Sequence, residues 1–286
     1  MAAAPHHFTV DVEEYFHPTA LAAHYPMSGW GSLERRSPRV TARLLEFLEG
    51  RRTRATCFVV GWLAEREPDM VRAIAAAGHE IASHGWEHEL VGVLGPDRFR
   101  ASVRRSKQAL EDISGRRVRG YRAPSFSIVP GLEWAFDVLL EEGYTYDASL
   151  FPVRRHPTYG YPTAERYPHW IERAGGTLLE IPSTTLRLLG GTWPASGGAY
   201  FRMLPYALLR AGLRQAEAQG VPGTFYIHPW ELDDWTPSVE APRLQLLRTF
   251  GGRTRIWERL DRMLEEFDFG PVCDTVAAMT AGRTRT

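Results

Sequence analysis

The sequence predicts an α/β fold, in which seven to eight parallel strands form a distorted or incomplete (β/α) barrel. Two observations predict it. Short apolar or alternating runs are followed again and again by segments of helical period, which is typical of parallel strands joined by crossover helices. No glycine-rich phosphate loop follows the first run, and seven or eight such units within 286 residues favour a barrel over a doubly wound sheet.

Each predicted strand is a short run that is rich in apolar, β-branched or aromatic side chains. The seven runs are residues 8–13, 55–61, 79–83, 119–123, 144–148, 177–183 and 223–229. The segment PVCDT, residues 271–275, is a weaker candidate for an eighth strand. All seven strong runs precede either a helical pattern or a long irregular segment, as a barrel of βα units requires.

Segments of helical period lie between these strands. They cover residues 38–50, 68–78, 96–115, 131–143, 200–220 and 253–267. Pro38, Pro68 and Pro96 stand at predicted helix starts, where a missing backbone N–H removes no helical hydrogen bond.

Four irregular segments are too long for simple connections. They are residues 14–37, 150–176, 184–199 and 230–252. All four follow predicted strands, which in a barrel places them on the face that carries the active site.

Composition argues against several kinds of partner. The 34 basic and 34 acidic residues give a net charge of zero, without a run of like charge that could hold a nucleic acid or an anionic membrane. No signal-peptide pattern opens the sequence and no stretch reaches about 18 apolar residues, so we expect no membrane insertion and a cytoplasmic location. Cys57 and Cys273 are too few for a disulfide framework, and we interpret them as reduced packing residues.

Polar residues lie at or just after the carboxyl ends of five of the predicted strands. They are Asp11, Glu13, His84, His88, Arg122, Asp147 and His228. Taken singly, an arginine is often a surface ion pair, an aspartate a turn residue and a histidine a core residue. Because the carboxyl ends of parallel strands meet at one face of a barrel, we expect this set to converge there and to be functional.

The segment ASHGWEHE places His84 and His88 four residues apart. Two histidines and one carboxylate form a ligand set that leaves coordination positions open, which is typical of a catalytic rather than a structural metal site. Asp11 and Glu13 are two apart on a strand, so both side chains face one side, and either carboxylate fits as the third ligand.

Five segments in order carry a resemblance to a known family. TVDVEE, SHGWEH, RAPSF, YDASLFP and FYIHPWE resemble the motifs of the polysaccharide deacetylases of carbohydrate esterase family 4, over about residues 8–230. DVEEYF, GGAYFRMLP and HPWELD are similar to its exosortase-associated polysaccharide deacetylase subgroup, which implies one barrel domain over residues 1–286 with a C-terminal extension from about 231–280.

The resemblance implies an activity and a cofactor. The expected reaction is removal of N-acetyl groups from an N-acetylated oligo- or polysaccharide, in this subgroup an exopolysaccharide, to give acetate and a free amine. The expected cofactor is one divalent metal per chain, usually Zn²⁺. Nothing in the sequence indicates an oligomeric state.

The resemblance also implies a role for each site residue. The catalytic residues would be the base Asp11, Arg122 that holds it, the acid His228 and its partner Asp147. The metal ligands would be Glu13, His84 and His88. The family has adjacent aspartates in its first motif, whereas here a valine separates Asp11 from Glu13, so an exchange of roles between these two stays open.

Four further residues are candidates for contacts with the substrate. The backbone N–H of Ser125 is expected to stabilise an oxyanion, since that role needs no particular side chain. Phe126, Tyr200 and Trp230 are expected to bind sugar units through their flat apolar faces.

Two alternative functions are compatible with the same residues. A metal-dependent amidase that acts on a small cyclic amide or imide, as allantoinase does, would use the same chemistry. Loop aromatics favour a polymer, since an extended sugar chain needs an open aromatic groove; they are Tyr15, Phe16, Tyr159, Tyr161, Trp193, Tyr200 and Trp230. The second alternative is a catalytically inactive carbohydrate-binding protein, against which the complete set of polar residues argues.

Overall fold

A computed structural model describes residues 4–154 and 159–283 of the chain. Eleven strands lie within these residues. They are β1 (His6–Val12), β2 (Thr56–Val59), β3 (Glu80–Ser83), β4 (Gly120–Tyr121), β5 (Tyr146–Asp147), β6 (His169–Arg173), β7 (Gly176–Glu180), β8 (Thr185–Leu188), β9 (Gly191–Pro194), β10 (Thr224–Ile227) and β11 (Phe269–Gly270).

The main sheet is almost entirely parallel. Its order is β10-β1-β2-β3-β4-β5-β7-β6, with β11 also paired to β1, and only β6 runs antiparallel to its neighbour. Strands β8 and β9 form a separate antiparallel pair. In the described residues, no β-ladder joins β7 to β10, so the sheet does not close into a complete barrel. The segment after β7 contacts β10 through a 3.2 Å hydrogen bond from the Thr184 N–H to the Thr224 carbonyl. The predicted distorted or incomplete barrel is therefore confirmed.

The helices cover the outside of the sheet. They are α1 (Ser37–Gly50), α2 (Gly61–Arg66), α3 (Pro68–Ala76), α4 (Val91–Ser114), α5 (Trp134–Glu141), α6 (Gly198–Met203), α7 (Tyr206–Glu217), α8 (Pro229–Leu232), α9 (Arg243–Phe250), α10 (Ile256–Glu266) and α11 (Val272–Arg283). Their apolar residues recur at helical spacing, as in α1, where Val40, Leu44 and Leu48 lie four apart and are all buried. Among the described helices, none is both long and apolar enough to cross a membrane.

The amino ends of the strands are closed by α11. Its residues Val272 and Val276 pack in one buried cluster with Phe58 of β2 and Tyr146 of β5. The carboxyl group of Glu80 lies at the same end and accepts hydrogen bonds from Thr56 Oγ1 (2.5 Å), the Tyr146 hydroxyl (2.9 Å) and the Cys273 amide (3.0 Å). The opposite end of the sheet is thus the one left for a site.

Two predicted elements are wrong. The segment 271–275 is not a strand, because β11 ends at Gly270, and after Pro271 the chain enters α11. Proline has no N–H to give to a ladder but is well suited to a helix start. The single helix predicted for 200–220 is two helices, α6 and α7, since Pro205 cannot continue the hydrogen bonding of α6.

Three segments that were predicted to be irregular contain regular structure. Residues 150–176 include β6, residues 184–199 include the β8–β9 pair, and residues 230–252 include most of α8 and all of α9. The hairpins were missed because β6 and β9 are largely half-exposed strands with few of the apolar positions that mark a buried parallel strand.

Candidate active site

A cavity of about 690 Å³ opens at the carboxyl ends of the strands. Of the residues singled out from the sequence, those that line it are Asp11, Glu13, His84, His88, Ser125, Phe126, Tyr159, His228 and Trp230. Each follows or ends a strand or lies in the loop after one, which is where a βα fold gathers side chains from distant parts of the chain. Five of the seven polar residues that were expected to converge line this cavity, while Arg122 and Asp147 do not.

Glu13, His84 and His88 form a buried group with the composition of a metal site. Their ligand atoms all lie within 4.8 Å of one another, with Glu13 Oε2 at 2.6 Å from His88 Nε2 and 4.0 Å from His84 Nε2. No donor among the described residues meets the buried Glu13 Oε2 in hydrogen-bond geometry, although His88 Nε2 lies 2.6 Å from it. The Nδ1–H of His84 donates to the Arg122 carbonyl at 2.8 Å, which leaves Nε2 as a lone-pair donor towards the group. These residues fit a divalent cation.

The charge states of this group suit metal binding. Burial alone would raise the pKa of Glu13, but the nearby His88, His228 and His84 hold its pKa well below the usual range. Burial lowers the pKa of His84 to about 4. An ionised carboxylate and a neutral imidazole are the forms that bind a cation.

The backbone is strained at three residues around the cavity. His88, Ser125 and Phe126 have φ values of 55°, 52° and 51°, in the left-handed region that residues with a Cβ rarely occupy. Each such residue costs on the order of 1 kcal/mol, and strain of this kind persists where the surrounding structure fixes it. The turn at Ser125 leaves its N–H without a protein acceptor among the described residues.

Arg122 fixes Asp11 from beneath the cavity. Its Nη1 donates to Asp11 Oδ1 at 2.7 Å and to Thr9 Oγ1 at 2.8 Å, while its Nε donates to the Ala148 carbonyl at 3.1 Å. The guanidinium lies 4.1 Å from the centre of the Phe58 ring and is fully buried. A charge-assisted hydrogen bond inside the protein holds the carboxylate of Asp11 in one orientation.

His228 faces both carboxylates of β1 from the end of β10. Its Nε2 lies 3.6 Å from Glu13 Oε1 and 3.9 Å from Asp11 Oδ2, and its Nδ1 lies 2.8 Å from Glu231 Oε2. Burial alone would lower its pKa, but Glu231 and then Glu13 and Asp11 raise the pKa of His228 to about 9. The imidazole can therefore carry a proton at neutral pH and hand it on from Nε2.

The structure gives Asp147 different partners from the one predicted. Its carboxylate accepts the Ser149 N–H at 3.1 Å and the Ser149 hydroxyl at 2.7 Å, and it lies beside Glu180. The partner of His228 is instead Glu231. Asp147 ends the two-residue strand β5 and forms a local turn with Ser149. Both carboxylate oxygens of Asp147 accept hydrogen bonds from Ser149 and therefore do not face the cavity.

Trp230 is not an open sugar platform. Its side chain is buried, its indole N–H donates to Glu13 Oε1 at 2.9 Å, and its ring stacks on His228 with centroids 5.1 Å apart. Tyr15 and Phe16 are also buried in the main hydrophobic cluster. Tyr15 and Phe16 therefore form no part of an open aromatic groove, while Trp230 lines the cavity as a partner of Glu13 and His228.

The remaining candidate aromatics lie on one side of the cavity or away from it. The hydroxyl of Tyr200 is 2.9 Å from that of Tyr159, whose ring stacks on Phe151 and borders the cavity. Phe126 lines the cavity and packs against Phe151. Trp193 is exposed on β9 and does not line the cavity.

Sequence reasoning missed two residues of this site. Glu231 stands three residues after His228, the spacing of a capping box at the start of α8, and that spacing could have identified it. Arg202 donates from Nε to Glu231 Oε1 at 2.5 Å and is buried, but nothing local in the sequence marks it. Burial alone would raise the pKa of Glu231, but Arg202 and then His228 lower that pKa to about 2.

Comparison with known proteins gives two family matches. Residues 29–132 match the family described as polysaccharide deacetylase, and residues 148–277 match a domain of unknown function, DUF3473. The cavity takes residues from both matched regions, with His84 and His88 in the first and His228 and Glu231 in the second.

Curated proteins match between 33% and 41% of the chain. A peptidoglycan-N-acetylglucosamine deacetylase from Bacillus cereus is 29% identical over 96 residues, which are 33% of this chain and 35% of that protein. A peptidoglycan deacetylase from Helicobacter pylori is 30% identical over 119 residues, 41% of this chain and 39% of that protein. A chitooligosaccharide deacetylase from Rhizobium leguminosarum bv. trifolii is 27% identical over 121 residues, 41% of this chain and 50% of that protein. The chain thus spans between a third and a half of these relatives.

Solved structures share the fold over nearly the whole chain. A putative polysaccharide deacetylase from Mycobacterium smegmatis has a TM-score of 0.65 at 21% identity, covering 99% of this chain and 95% of that one. The Puue allantoinase has a TM-score of 0.60 at 17% identity, covering 96% and 89%. At these identities the solved structures show a shared fold, while the family match over residues 29–132 and the curated relatives support a likeness to the polysaccharide deacetylases.

Proposed function

We propose that the protein is a metal-dependent hydrolase that removes N-acetyl groups from an N-acetylated polysaccharide, releasing acetate and leaving a free amine. One observation carries the proposal. Five polar side chains face one cavity, and they are Asp11, Glu13, His84, His88 and His228. A buried arginine holds Asp11, the carboxylate of Glu13 lies beside His84 and His88, and His228 is paired with a glutamate.

Glu13, His84 and His88 would hold one divalent cation, for which we propose Zn²⁺, because two imidazole nitrogens and one carboxylate oxygen suit zinc in open, catalytic sites. When bound, the cation supplies a Lewis acid that polarises the acetyl carbonyl and lowers the pKa of water. The fixed position of Asp11 on Arg122 favours Glu13 over Asp11 as the carboxylate ligand.

The protein's own groups would carry the proton transfers. Asp11 accepts a proton from the water that attacks the acetyl carbon, and Arg122 keeps its carboxylate oriented for this step. The free N–H of Ser125 stabilises the oxygen that becomes negative. His228 donates a proton from Nε2 to the departing nitrogen, since an unprotonated amine is a very poor leaving group. For Asp147 we propose no catalytic step, since it is engaged with Ser149.

We propose an exopolysaccharide as the substrate and membership of the exosortase-associated subgroup. Support comes from the sequence segments DVEEYF, GGAYFRMLP and HPWELD, the last two of which lie in the region that matches DUF3473. The curated relatives are deacetylases of peptidoglycan and of chitooligosaccharides, which supports a polymer of N-acetylated sugars. Tyr159 and Phe126 at the cavity would contact neighbouring sugar units.

The alternative substrate is a small cyclic amide. Its support is the fold that this chain shares with the allantoinase, and no contact among the described residues adds to that support. The deciding experiment measures acetate release by zinc-loaded protein from N-acetylglucosamine oligomers, monomer to hexamer, and ring opening of allantoin. We expect acetate release to rise over the first sugar units, since remote units supply binding energy that positions the acetamide. His228→Ala should abolish it. Ring opening of allantoin without acetate release would contradict the proposal.

A further inference from the structure

We propose that the buried ion pair between Arg202 and Glu231 positions the imidazole of His228. In this arrangement the Nδ1–H donates to Glu231, and Nε2 faces the cavity. The inference rests on the proposed function, because it assigns this pair to the reaction in which His228 acts as the acid. It also gives the region that matches DUF3473 a part in catalysis, since all three residues lie within residues 148–277.

The carboxylate of Glu231 binds His228 twice. Its Oε2 lies 2.8 Å from His228 Nδ1 and 3.1 Å from the His228 backbone nitrogen, whose N–H it accepts. Pro229 occupies the first position of α8, and its ring fixes the φ angle between His228 and Glu231. The turn that carries the side chains of His228 and Glu231 is therefore short and rigid. Ring and backbone of His228 are therefore tied to one buried carboxylate.

An ionised carboxylate can only accept hydrogen bonds, so the ring proton facing Glu231 must be on Nδ1. The orientation of the ring is fixed as well, because Trp230 stacks on it at an interplanar angle of 20°. Nε2 is then directed to the space beside Glu13 and Asp11, where the reacting group would lie.

Arg202 holds Glu231 and joins it to two further segments. Its Nε donates to Glu231 Oε1 at 2.5 Å, its Nη2 donates to the Arg248 carbonyl at 3.0 Å, and its Nη1 donates to the Gly251 carbonyl. Each nitrogen of the guanidinium thus has a protein acceptor, and the side chain is buried. Arg202 also lines the cavity, but its three guanidinium nitrogens all donate to protein acceptors, so it is placed to act on the reaction through Glu231.

The approach of α6 to β10 depends on a glycine. A Cβ at Gly197 would lie 1.6 Å from the Tyr226 carbonyl oxygen, so only glycine allows the start of α6 to lie against the strand that ends before His228. This contact brings Arg202, four residues after the first residue of α6, to the level of Glu231.

The test is Glu231→Gln, followed by ¹⁵N NMR of histidine-labelled, metal-free protein, with the His228 signals identified by their loss in His228→Gln. In the variant, one amide oxygen replaces two carboxylate oxygens. When that oxygen accepts from the buried, charged Arg202, the amide NH₂ faces the ring, so Nδ1 must accept and the ring keeps a proton on Nε2 alone. We expect a protonated, exchange-protected Nδ1 in the unsubstituted protein and its loss in the variant. A variant that keeps the protonated Nδ1 would overturn the proposal.

A second measurement compares 4-nitrophenyl acetate with 4-nitroacetanilide, both independent of the natural polymer. The nitrophenolate leaves without protonation, whereas the aniline needs an acid. Glu231→Gln should lower kcat on the anilide by about 100-fold or more, with KM and ester hydrolysis changed less than about threefold. Equal losses of kcat on the ester and on the anilide would show that Glu231 has only a structural role, and would overturn the proposed positioning of His228.

Matched variants separate these effects. Asp233→Asn removes a carboxylate from another buried ion pair, with Arg36 at 2.5 Å, two residues beyond Glu231, and should leave the Nδ1 proton and the ester-to-anilide ratio unchanged. If Glu231→Gln does not fold, Glu231→Asp keeps the charge beside Arg202 but shortens the reach, and should weaken the protection of the Nδ1 proton. If the unsubstituted protein hydrolyses neither substrate, acetate release from the N-acetylglucosamine oligomers decides the proposed function, while the NMR comparison still decides the positioning.

Discussion

The indole N–H of Trp230 donates a 2.9 Å hydrogen bond to Glu13 Oε1, and the same indole ring stacks on His228 with centroids 5.1 Å apart. One buried side chain therefore touches both a candidate metal ligand and the candidate acid. Partners that orient a ligand contribute to metal affinity nearly as directly as the ligand itself.

Trp230→Phe should weaken metal binding while the ring contact with His228 is retained. Loss of the N–H leaves Glu13 Oε1 without its indole donor, and we expect zinc affinity to fall about 10- to 100-fold in a chelator competition titration. Trp257→Phe is the matched control, because the Trp257 N–H donates to the Leu232 carbonyl and not to a site residue. Equal affinities in Trp230→Phe and in the unsubstituted protein would contradict this contribution.

His88→Ala should abolish stoichiometric zinc binding. His88 Nε2 is 2.6 Å from Glu13 Oε2, and two remaining ligands are too few to hold zinc in a protein site. Metal content after dialysis, measured by elemental analysis, should fall from one zinc per chain to near zero. His24→Ala, outside the cavity, is the control. Retention of metal and of acetate release by His88→Ala would show that the site lies elsewhere.

Asp11→Asn and Glu13→Ala should have opposite effects. Asp11→Asn keeps the shape beside Arg122 but cannot accept the proton from water, so metal content should persist while turnover falls about 100- to 10,000-fold. Glu13→Ala should lose metal affinity first. Metal analysis and acetate release on both variants give the comparison. Metal loss in Asp11→Asn with Glu13→Ala fully loaded would reverse the two roles.

Acid should destabilise the protein through His7. Burial first, and then the charges of His6 and Arg122, lower the pKa of His7 to about 3 from an ordinary value of 6.5. Below pH 6.5 the unfolded chain therefore takes up a proton that the folded protein does not, so this contribution to stability is complete above pH 6.5 and is lost as the pH falls towards 3.

The loss of stability at low pH corresponds to the uptake of one proton by His7 on unfolding. The free energy of unfolding should fall by about 1.4 kcal/mol per pH unit from this group, and His7→Gln should show a correspondingly shallower decrease between pH 6 and 4 in urea titrations. His24→Gln should keep the steeper slope. Equal slopes in His7→Gln and the unsubstituted protein would rule out His7 as the cause.

The strand pattern allowed most of the site to be predicted. Asp11 and Glu13 alternate with buried apolar residues of β1, and His84 and His228 follow the last residues of β3 and β10. Parallel strands in a barrel bring these ends to one face whatever the loops do, because the direction of each strand is fixed by the βα connection. That is why these residues could be expected to meet.

The roles of the aromatic residues could not be predicted in the same way. The sequence places Tyr15, Phe16 and Trp230 outside the predicted strands and helices, but it does not show whether such a segment is folded against the protein or open to solvent. All three are buried, since they pack against other aromatics that come from distant segments. Exposure of a loop side chain depends on these long-range contacts and leaves no periodic signal.

By itself, the sequence determined the alternation of strands and helices and the positions of polar residues at strand ends, because side-chain periodicity and proline or glycine signals act over a few residues. Only the tertiary structure decided which carboxylate meets which histidine. It gave His228 the partner Glu231 in place of Asp147, and it gave Glu231 the distant Arg202. A buried charge must find an opposite charge within hydrogen-bond reach, and which one it finds depends on the packing of segments far apart in the chain.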